Sequence, residues 1–336
     1  MDPSEVRQPR VTVLANGTAI SGVIDAEVQS NAYLGANRFQ IRVAYPSPSG
    51  EFWLSLPVLI EIQVTLDGGQ LSLITGNADS LELDPICGEA ILHGRDLTAL
   101  LVAAQTSETF ENQTASGIAT TLAARHGLTP NVATTTALIG RYYQTNRTRS
   151  ALSQHARVTS EWDLLTWLAD QEGYDVWVDG WVLNFQPRDI PEPIATVTPS
   201  ICCSLRLRQA LDLAAGLEVV VKSWDSQTQQ IISQSASNAN GDATPVTLTA
   251  IRPNLSMSDA ISLAQQTLSQ WTTHESEILF EMPGDILMAP RCTLNLTETG
   301  SSFDGVYEIM DVERRISFYR GYVQHVTARG LPWTPS

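Results

Sequence analysis

Val58-Leu-Ile-Glu-Ile-Gln-Val-Thr-Leu-Asp-Gly-Gly69 places apolar side chains at Val58, Ile60, Ile62, Val64 and Leu66 and ends on a turn sequence, Asp67-Gly68-Gly69. A period of two sends successive side chains to opposite faces, so this segment is a strand with one face buried. Asp-Gly then supplies the positive φ of a tight hairpin turn. Phe39-Gln-Ile-Arg-Val-Ala-Tyr45 alternates in the same way, and strand-like runs follow at 71–74, 78–83 and 90–93. Strands joined by short turns, with no helix between them, imply an antiparallel sheet or barrel.

Beyond Gly94 the period changes. Asp96 is placed to cap a helix over 97–104, and Thr114 or Ser116 opens a second carrying Ile118, Ala119, Leu122 and Ala123. Ser160 and Asp163 form a capping-box pattern at the start of a third, with Leu164, Leu165, Leu168 and Ala169 on one side and Gly173 at its end. A hairpin follows at 174–185 around Asp179-Gly180. Pro187, Pro191, Pro193 and Pro199 then mark a boundary. Strands return at 217–224, 246–251, 278–282, 292–296, 306–316 and 321–329, interrupted by a helix whose apolar face is read as Ile261, Ala264, Leu268 and Trp271. Ser233-Gln-Ser-Ala-Ser-Asn-Ala-Asn-Gly-Asp-Ala-Thr-Pro245 reads as a polar loop.

Length and composition bound the function. At 336 residues, two or three domains of ~100–200 residues are expected, each able to bury a core. With 43% hydrophobic residues, disorder is excluded as the main state. Apolar runs such as 56–66 are broken well short of the ~20 residues a membrane helix needs, and the polar Met1-Asp-Pro opening leads us to expect no secretory signal. Twenty basic against thirty-six acidic residues give a net charge of −16, which repels phosphate backbones. Lys222 is the only lysine, so arginine supplies the multi-donor contacts suited to interfaces; Arg206, Arg208, Arg314 and Arg315, near strand ends, are the candidates. Cys87, Cys202, Cys203 and Cys292 are too few and scattered for a disulfide framework and read as reduced, mostly buried thiols of a protein made in the cytoplasm.

No catalytic motif is present. His274-Glu-Ser-Glu277 lacks the second histidine of a zinc helix, and His93, His126, His155, His274 and His325 are far apart in sequence. For glycoside cleavage the nominated carboxylate pairs are Asp170 with Glu172 and Asp175 with Asp179. For glycan binding they are the tryptophans Trp162, Trp167, Trp177 and Trp181. Asp163 and Asp179 already have a cap and a turn to explain them. No metal or cofactor is expected.

Four segments in succession carry a resemblance. Gly94-Arg-Asp-Leu-Thr-Ala-Leu-Leu101 closes the first β region, with Gly94, Asp96 and Leu97 as its motif positions. Ser116-Gly-Ile-Ala-Thr-Thr-Leu-Ala-Ala-Arg-His-Gly-Leu128 contributes Ile118, Leu122 and Gly127. The helix from Ser160 to Gly173 contributes Asp163, Leu165, Leu168, Ala169 and Gly173, followed by its hairpin. Phe303-Asp-Gly-Val-Tyr-Glu-Ile309 contributes Gly305 and Tyr307. In this order they resemble the baseplate hub proteins of contractile phage tails, a group that includes the phage Mu hub, the phage late control D proteins and the hub part of type VI secretion spikes.

The resemblance implies an α+β chain with two tail-tube-like antiparallel β-barrel modules, 8–104 and 199–333, flanking a mixed α/β module, 105–198. The second β module would include one helix over 256–272. It implies a homotrimer forming a pseudo-sixfold ring that adapts a sixfold tail tube to a threefold central spike, with an acidic lumen as part of a DNA conduit. Implied partners are a separate spike protein, the tail tube or its initiator, the tape-measure protein and the baseplate wedge, with neither sequence-specific nucleic acid nor membrane insertion. The implied location is the virion tail baseplate. The alternatives from other classes are a tail-associated cell-wall glycosidase and a glycan-binding adhesion module.

Overall fold

The computed structural model describes residues 9–66, 68–106, 110, 112–139, 159–214, 216–225, 230–238, 245–252, 255–317, 319 and 321–331. Strands of three residues or more and helices of six or more are labelled in chain order. The first β region contains β1 (Arg10–Ala15), β2 (Val23–Asn31), β3 (Arg38–Ala44), β4 (Leu59–Leu66), β5 (Gly69–Asp84) and β6 (Glu89–Asp96). The middle region contains α1 (Thr98–Ala103), α2 (Ala115–Arg125), β7 (Thr129–Val132), α3 (Glu161–Glu172), β8 (Tyr174–Asp179) and β9 (Val182–Pro187). The last region contains β10 (Ala195–Val197), β11 (Ser204–Gln209), β12 (Leu217–Asp225), β13 (Gln230–Ser237), β14 (Val246–Ile251), α4 (Met257–Thr272), β15 (Ser276–Pro283), β16 (Thr293–Leu296), β17 (Gly305–Ser317) and β18 (Gly321–Gly330).

The chain is mostly antiparallel β with few helices. The two flanking β regions share a single sheet in the order β11-β15-β18-β17-β2-β3-β6-β5-β4-β1. Their seam is hairpin against hairpin: β17 pairs antiparallel with β2, Arg314 lying opposite Val28. Each side keeps its own core on the same face of the sheet. One core gathers Val28, Ile41, Ile60, Ile62 and Leu92; the other gathers Ile278, Phe280, Ile309, Val312 and Val326. The alternation read at Val58 to Leu66 therefore sets which face is buried, because a shift of one residue would expose every one of these side chains.

β5 corrects the expectation of two separate strands. It is one 16-residue strand whose first half pairs with β4 and whose second half pairs with β6, with a register shift between Ala78 and Ser80. Gly76 makes the exchange of partners possible, since a Cβ there would sit 2.0 Å from the Arg95 carbonyl oxygen. β4 and β5 are joined by a two-residue connection, Leu66 opposite Gly69; Asp67 of the turn lies outside the described residues.

The middle region has a core of its own, built from Leu101, Ile118, Leu122, Leu165, Leu168, Val176, Leu183 and Phe185. α3 begins with the capping box: the Ser160 hydroxyl accepts from the Asp163 amide at 3.0 Å, and the Asp163 carboxylate accepts from the Ser160 amide. Gly173 ends it in the left-handed conformation, φ +69°. Ser160→Ala is expected to destabilise the fold by about 1 kcal/mol, readable as a lower urea midpoint with an unchanged slope.

In the last region β12, β13 and β14 form a three-stranded sheet of their own under α4, with Leu217, Val219 and Val221 packed against Ala260, Ala264 and Leu268. The buried face of α4 is thus its small-residue side, which lets the helix approach the sheet closely, while Ile261 and Trp271 are 38% and 46% exposed. The segment read as a loop from Ser233 begins inside β13, which pairs with β12 over eight residues; its inward apolar groups are only Ile232 and Ala236, too few to signal a strand. Residues 239–244 of that segment lie outside the described residues. All four cysteines are free, but Cys87 and Cys203 are exposed and Cys202 and Cys292 half-buried, so the expectation of mostly buried thiols is not met. No helix among the described residues is long and apolar enough to cross a membrane.

Candidate functional site: the sheet seam and the junction of modules

The seam is sealed from within. Arg314, one of the arginines nominated for contacts between subunits, is 3% exposed and serves inside the chain. Its guanidinium donates to the Met288 carbonyl and, at 3.4 Å, to the Ser30 hydroxyl, and burial pushes its pKa down. Tyr322 beside it donates to the Asp285 carbonyl at 3.1 Å and packs with Val64, Leu66 and Ile316 in a small apolar cluster that ties β4 to β17 and β18. Arg315, on the opposite face, pairs with Glu27 across the seam at 3.4 Å and with Glu313. Arg208 pairs with Glu277 at 3.3 Å, and Arg206 is exposed.

On the polar face of the large sheet carboxylates and guanidinium groups alternate. Arg42 lies 3.5 Å from Asp25 and 3.6 Å from Glu89, and Arg95 grips Asp79 through both Nε and Nη2. Such half-exposed pairs contribute well under about 1 kcal/mol each. Asp25 and Glu27 have raised pKa values because burial desolvates them.

A second polar node joins the modules behind the seam. Asp96, at the end of β6, accepts from the Asn37 amide at 3.1 Å and from the Thr98 amide at 3.1 Å. It is 6% exposed, and desolvation raises its pKa to about 6 against the opposing pull of those hydrogen bonds. The reading of Asp96 as the cap is corrected by one position: α1 begins at Thr98, its N-cap is Leu97, whose side chain makes no capping hydrogen bond, and Asp96 bonds the Thr98 amide from just outside the helix. The Trp162 indole of α3 donates to the Leu34 carbonyl at 3.2 Å. Arg291, in a left-handed conformation at φ +69°, stacks its guanidinium 4.9 Å from the Trp177 ring. Arg188 meets Glu308 of β17 at 3.1 Å, and Gln266 of α4 donates to the Asp170 carbonyl at 3.2 Å. These contacts enclose a cleft of ≈620 Å3 lined by Tyr33, Asp170, Asp175, Arg188, His274 and Glu308 among others.

Asp96 makes stability depend on pH in a defined direction. Its folded value lies above the usual 3.8, so the folded chain holds this proton more tightly than the unfolded chain. The contribution is greatest below about pH 4, declines as pH rises to about 6, and is level above that. Asp96→Asn is expected to remove the slope: between pH 4 and 6.5 the wild type should lose on the order of 2–3 kcal/mol relative to the variant, measured by urea unfolding at each pH.

The other nominated residues divide as follows. Both carboxylate pairs are separated: Asp170 and Asp175 line the cleft, whereas Glu172 and Asp179 do not. The cluster that sequence reading missed is His126 with Arg125 and Glu161, His126 Nε2 lying 2.6 Å from Glu161 Oε2. Glu161 is buried at the first turn of α3, and only the fold brings it to the end of α2. Among the described residues no group of three or more His, Cys, Asp or Glu side chains is placed to hold a metal ion; His155 lies outside them. Trp162 is buried, Trp167 and Trp177 half-buried and Trp181 exposed on the hairpin turn, so they form no common platform.

The motif positions have structural occupations. Gly94 lets β6 pass Phe39 and Asn77, Leu97, Ile118, Leu122, Leu165, Leu168 and Ala169 fill the middle core, and Gly127 is left-handed at φ +69° after α2. Gly305 opens β17, and the Tyr307 hydroxyl donates to the Phe303 carbonyl at 2.8 Å.

This architecture is shared with solved tail proteins. A tail protein from Neisseria meningitidis matches with a TM-score of 0.74 at 17% identity, over 96% of each chain. The 43 kDa tail protein of prophage MuSo2 from Shewanella oneidensis matches with a TM-score of 0.71 at 15% identity, over 96% of this chain and 98% of that one. An E. coli component of the type VI secretion system, described as structurally similar to the T4 bacteriophage tail proteins gp27 and gp5, matches with a TM-score of 0.60 at 12% identity, over 96% of this chain and 77% of that one. The fold is thus that of phage-tail and type VI secretion proteins. By sequence, the family model described as the Alg8 N-terminal domain matches residues 87–317, and the chain belongs to that family. The matched span enters in the turn before β6 and leaves at the end of β17, so it omits both strands that flank β17, its seam partner β2 and its hairpin partner β18. No curated protein matches the sequence.

Proposed function

We propose that the chain is the structural hub of a phage or phage-like tail baseplate. In this reading three copies close a pseudo-sixfold ring that joins a sixfold tube to a threefold spike. The observation that carries it is the seam: two β modules stand side by side in one sheet, with cores on the same face, so each chain supplies two successive sectors of a ring. The fold shared with tail proteins supports it. We take 8–104 and 199–333 as the two tube-like modules and 105–198 as the module between them. The motif residues act structurally, the chain assembles rather than catalyses, and its partners are the spike, the tube or its initiator, the tape-measure protein and the wedge. Synthesis is in the host cytoplasm and the final location is the tail baseplate.

Native mass by light scattering tests this, with the protein alone across a concentration series and mixed with its spike. A particle of three chains, each 36.6 kDa, is expected in at least one of the two. A monomer under every condition contradicts the reading.

A further inference from the structure

Two strand edges of the large sheet are unpaired among the described residues, and they are chemical complements. β5 continues to Asp84, but β4 beside it begins at Leu59, opposite Asn77, so from residue 79 onward β5 has only β6 as a neighbour. At the far end of the sheet, β11 pairs with β15 alone. The first edge reads Ser80-Leu-Glu-Leu-Asp84 and the second Ser204-Leu-Arg-Leu-Arg-Gln209. Leu81 and Leu83 lie opposite the buried Leu92 and Ala90, on the core face, yet are 38% and 41% exposed. Leu205 and Leu207 lie opposite Phe280 and Ile278, on the same face, and are half-buried. Glu82 stands on the polar face of the first edge, and Arg206 and Arg208 on that of the second.

Direction agrees as well. Strand sense alternates at every step from β11 to β5, so the two edges run opposite ways. Rotation about an axis along the strands preserves those senses and keeps the apolar faces on one side. The other nearby edge, β1, reads Arg-Val-Thr-Val-Leu-Ala and offers no acid to the two arginines.

Resting on the ring reading above, we propose that β11 of one copy adds to the 79–84 edge of β5 in the next as an antiparallel strand. The register sets Leu81 opposite Leu207, Leu83 opposite Leu205 and Glu82 opposite Arg206. Backbone hydrogen bonds join the copies, alternate side chains fix the register, and the unlike charges select this edge. The same pairing repeated head to tail closes a ring without leaving an exposed edge.

Two native thiols report on it. Cys87 lies in the turn after β5 and Cys203 just before β11, and both are exposed. Antiparallel pairing brings them to the same end of the joint. Within one chain six strands separate β5 from β11, on the order of 30 Å of sheet. A short bis-maleimide applied to the assembled protein is expected to give covalent trimers containing a Cys87–Cys203 linked peptide. Glu82→Arg and Arg206→Glu should each weaken trimer formation by about tenfold or more, and the two together should restore it. Trimers that form no such peptide and ignore both single reversals overturn this pairing and leave the hub reading standing. A wild-type protein that stays monomeric with and without its spike overturns both.

Discussion

Gly94→Ala is expected to destabilise the fold by about 3 kcal/mol, a large lowering of the unfolding midpoint. A Cβ at this position would lie 2.2 Å from Cζ of Phe39 and 2.3 Å from the Asn77 carbonyl oxygen. The first obstacle is a side chain and the second is backbone, so relief through rotamer change alone is partial. Phe39→Leu removes the ring that blocks the site, and the double variant Phe39→Leu/Gly94→Ala should recover part of the loss. Chemical unfolding followed by circular dichroism reads both. A Gly94→Ala protein with the wild-type midpoint would mean that β3, β5 and β6 do not converge as described.

The second large effect is expected at the seam. Arg314→Ala should destabilise by about 3–5 kcal/mol, because it opens a cavity where β17 meets β2 and strips the Met288 carbonyl and Ser30 hydroxyl of a buried donor. Arg314→Met keeps most of the volume and removes the buried charge, so its loss should be smaller by at least about 1 kcal/mol. Equal losses in the two variants would show that packing, not the fate of the charge, governs the seam. The comparison matters for assembly, since a loosened seam changes the angle between the two modules of one chain.

How much was legible in the sequence follows from how locally each feature is encoded. Alternation at 58–66 and the capping box at Ser160 and Asp163 are decided within a few residues and are found as read; the hairpin is found too, with its turn one residue later, at Gly180-Trp181, because Asp179 pairs with Val182. β13 was hidden because its partner β12 supplies most of the apolar surface, leaving Gln230–Ser237 with a polar and small composition. The face of α4 is legible in part: Ala264 and Leu268 lie against the sheet as read, joined by Ala260, whereas Ile261 and Trp271, the more apolar residues, are turned outward. The fusion of both β regions into one sheet depends on pairing between residues nearly 300 positions apart, as Arg314 with Val28, and no local pattern reports such a contact.

Separation in sequence also hid the internal use of Arg314, which meets Ser30 across 284 positions, and, over a shorter span of 35, the pairing of His126 with Glu161. Strand-end arginines are equally suited to a partner subunit and to the neighbouring module of the same chain. Burial decides between them, and burial is a property of the fold. Of the carboxylate pairs nominated by proximity in sequence, only Asp170 and Asp175 line the cleft; Asp179 shares a face of β8 with Asp175 but sits four residues further on, about 13 Å along the strand.

The most direct test of the account is electron microscopy of the protein assembled with its spike, averaged without imposed symmetry. A ring of six β lobes around a channel, alternating in two kinds so that the true symmetry is threefold, is the expected image. Single chains scattered around the spike, or a ring in which each chain supplies one lobe, would contradict it.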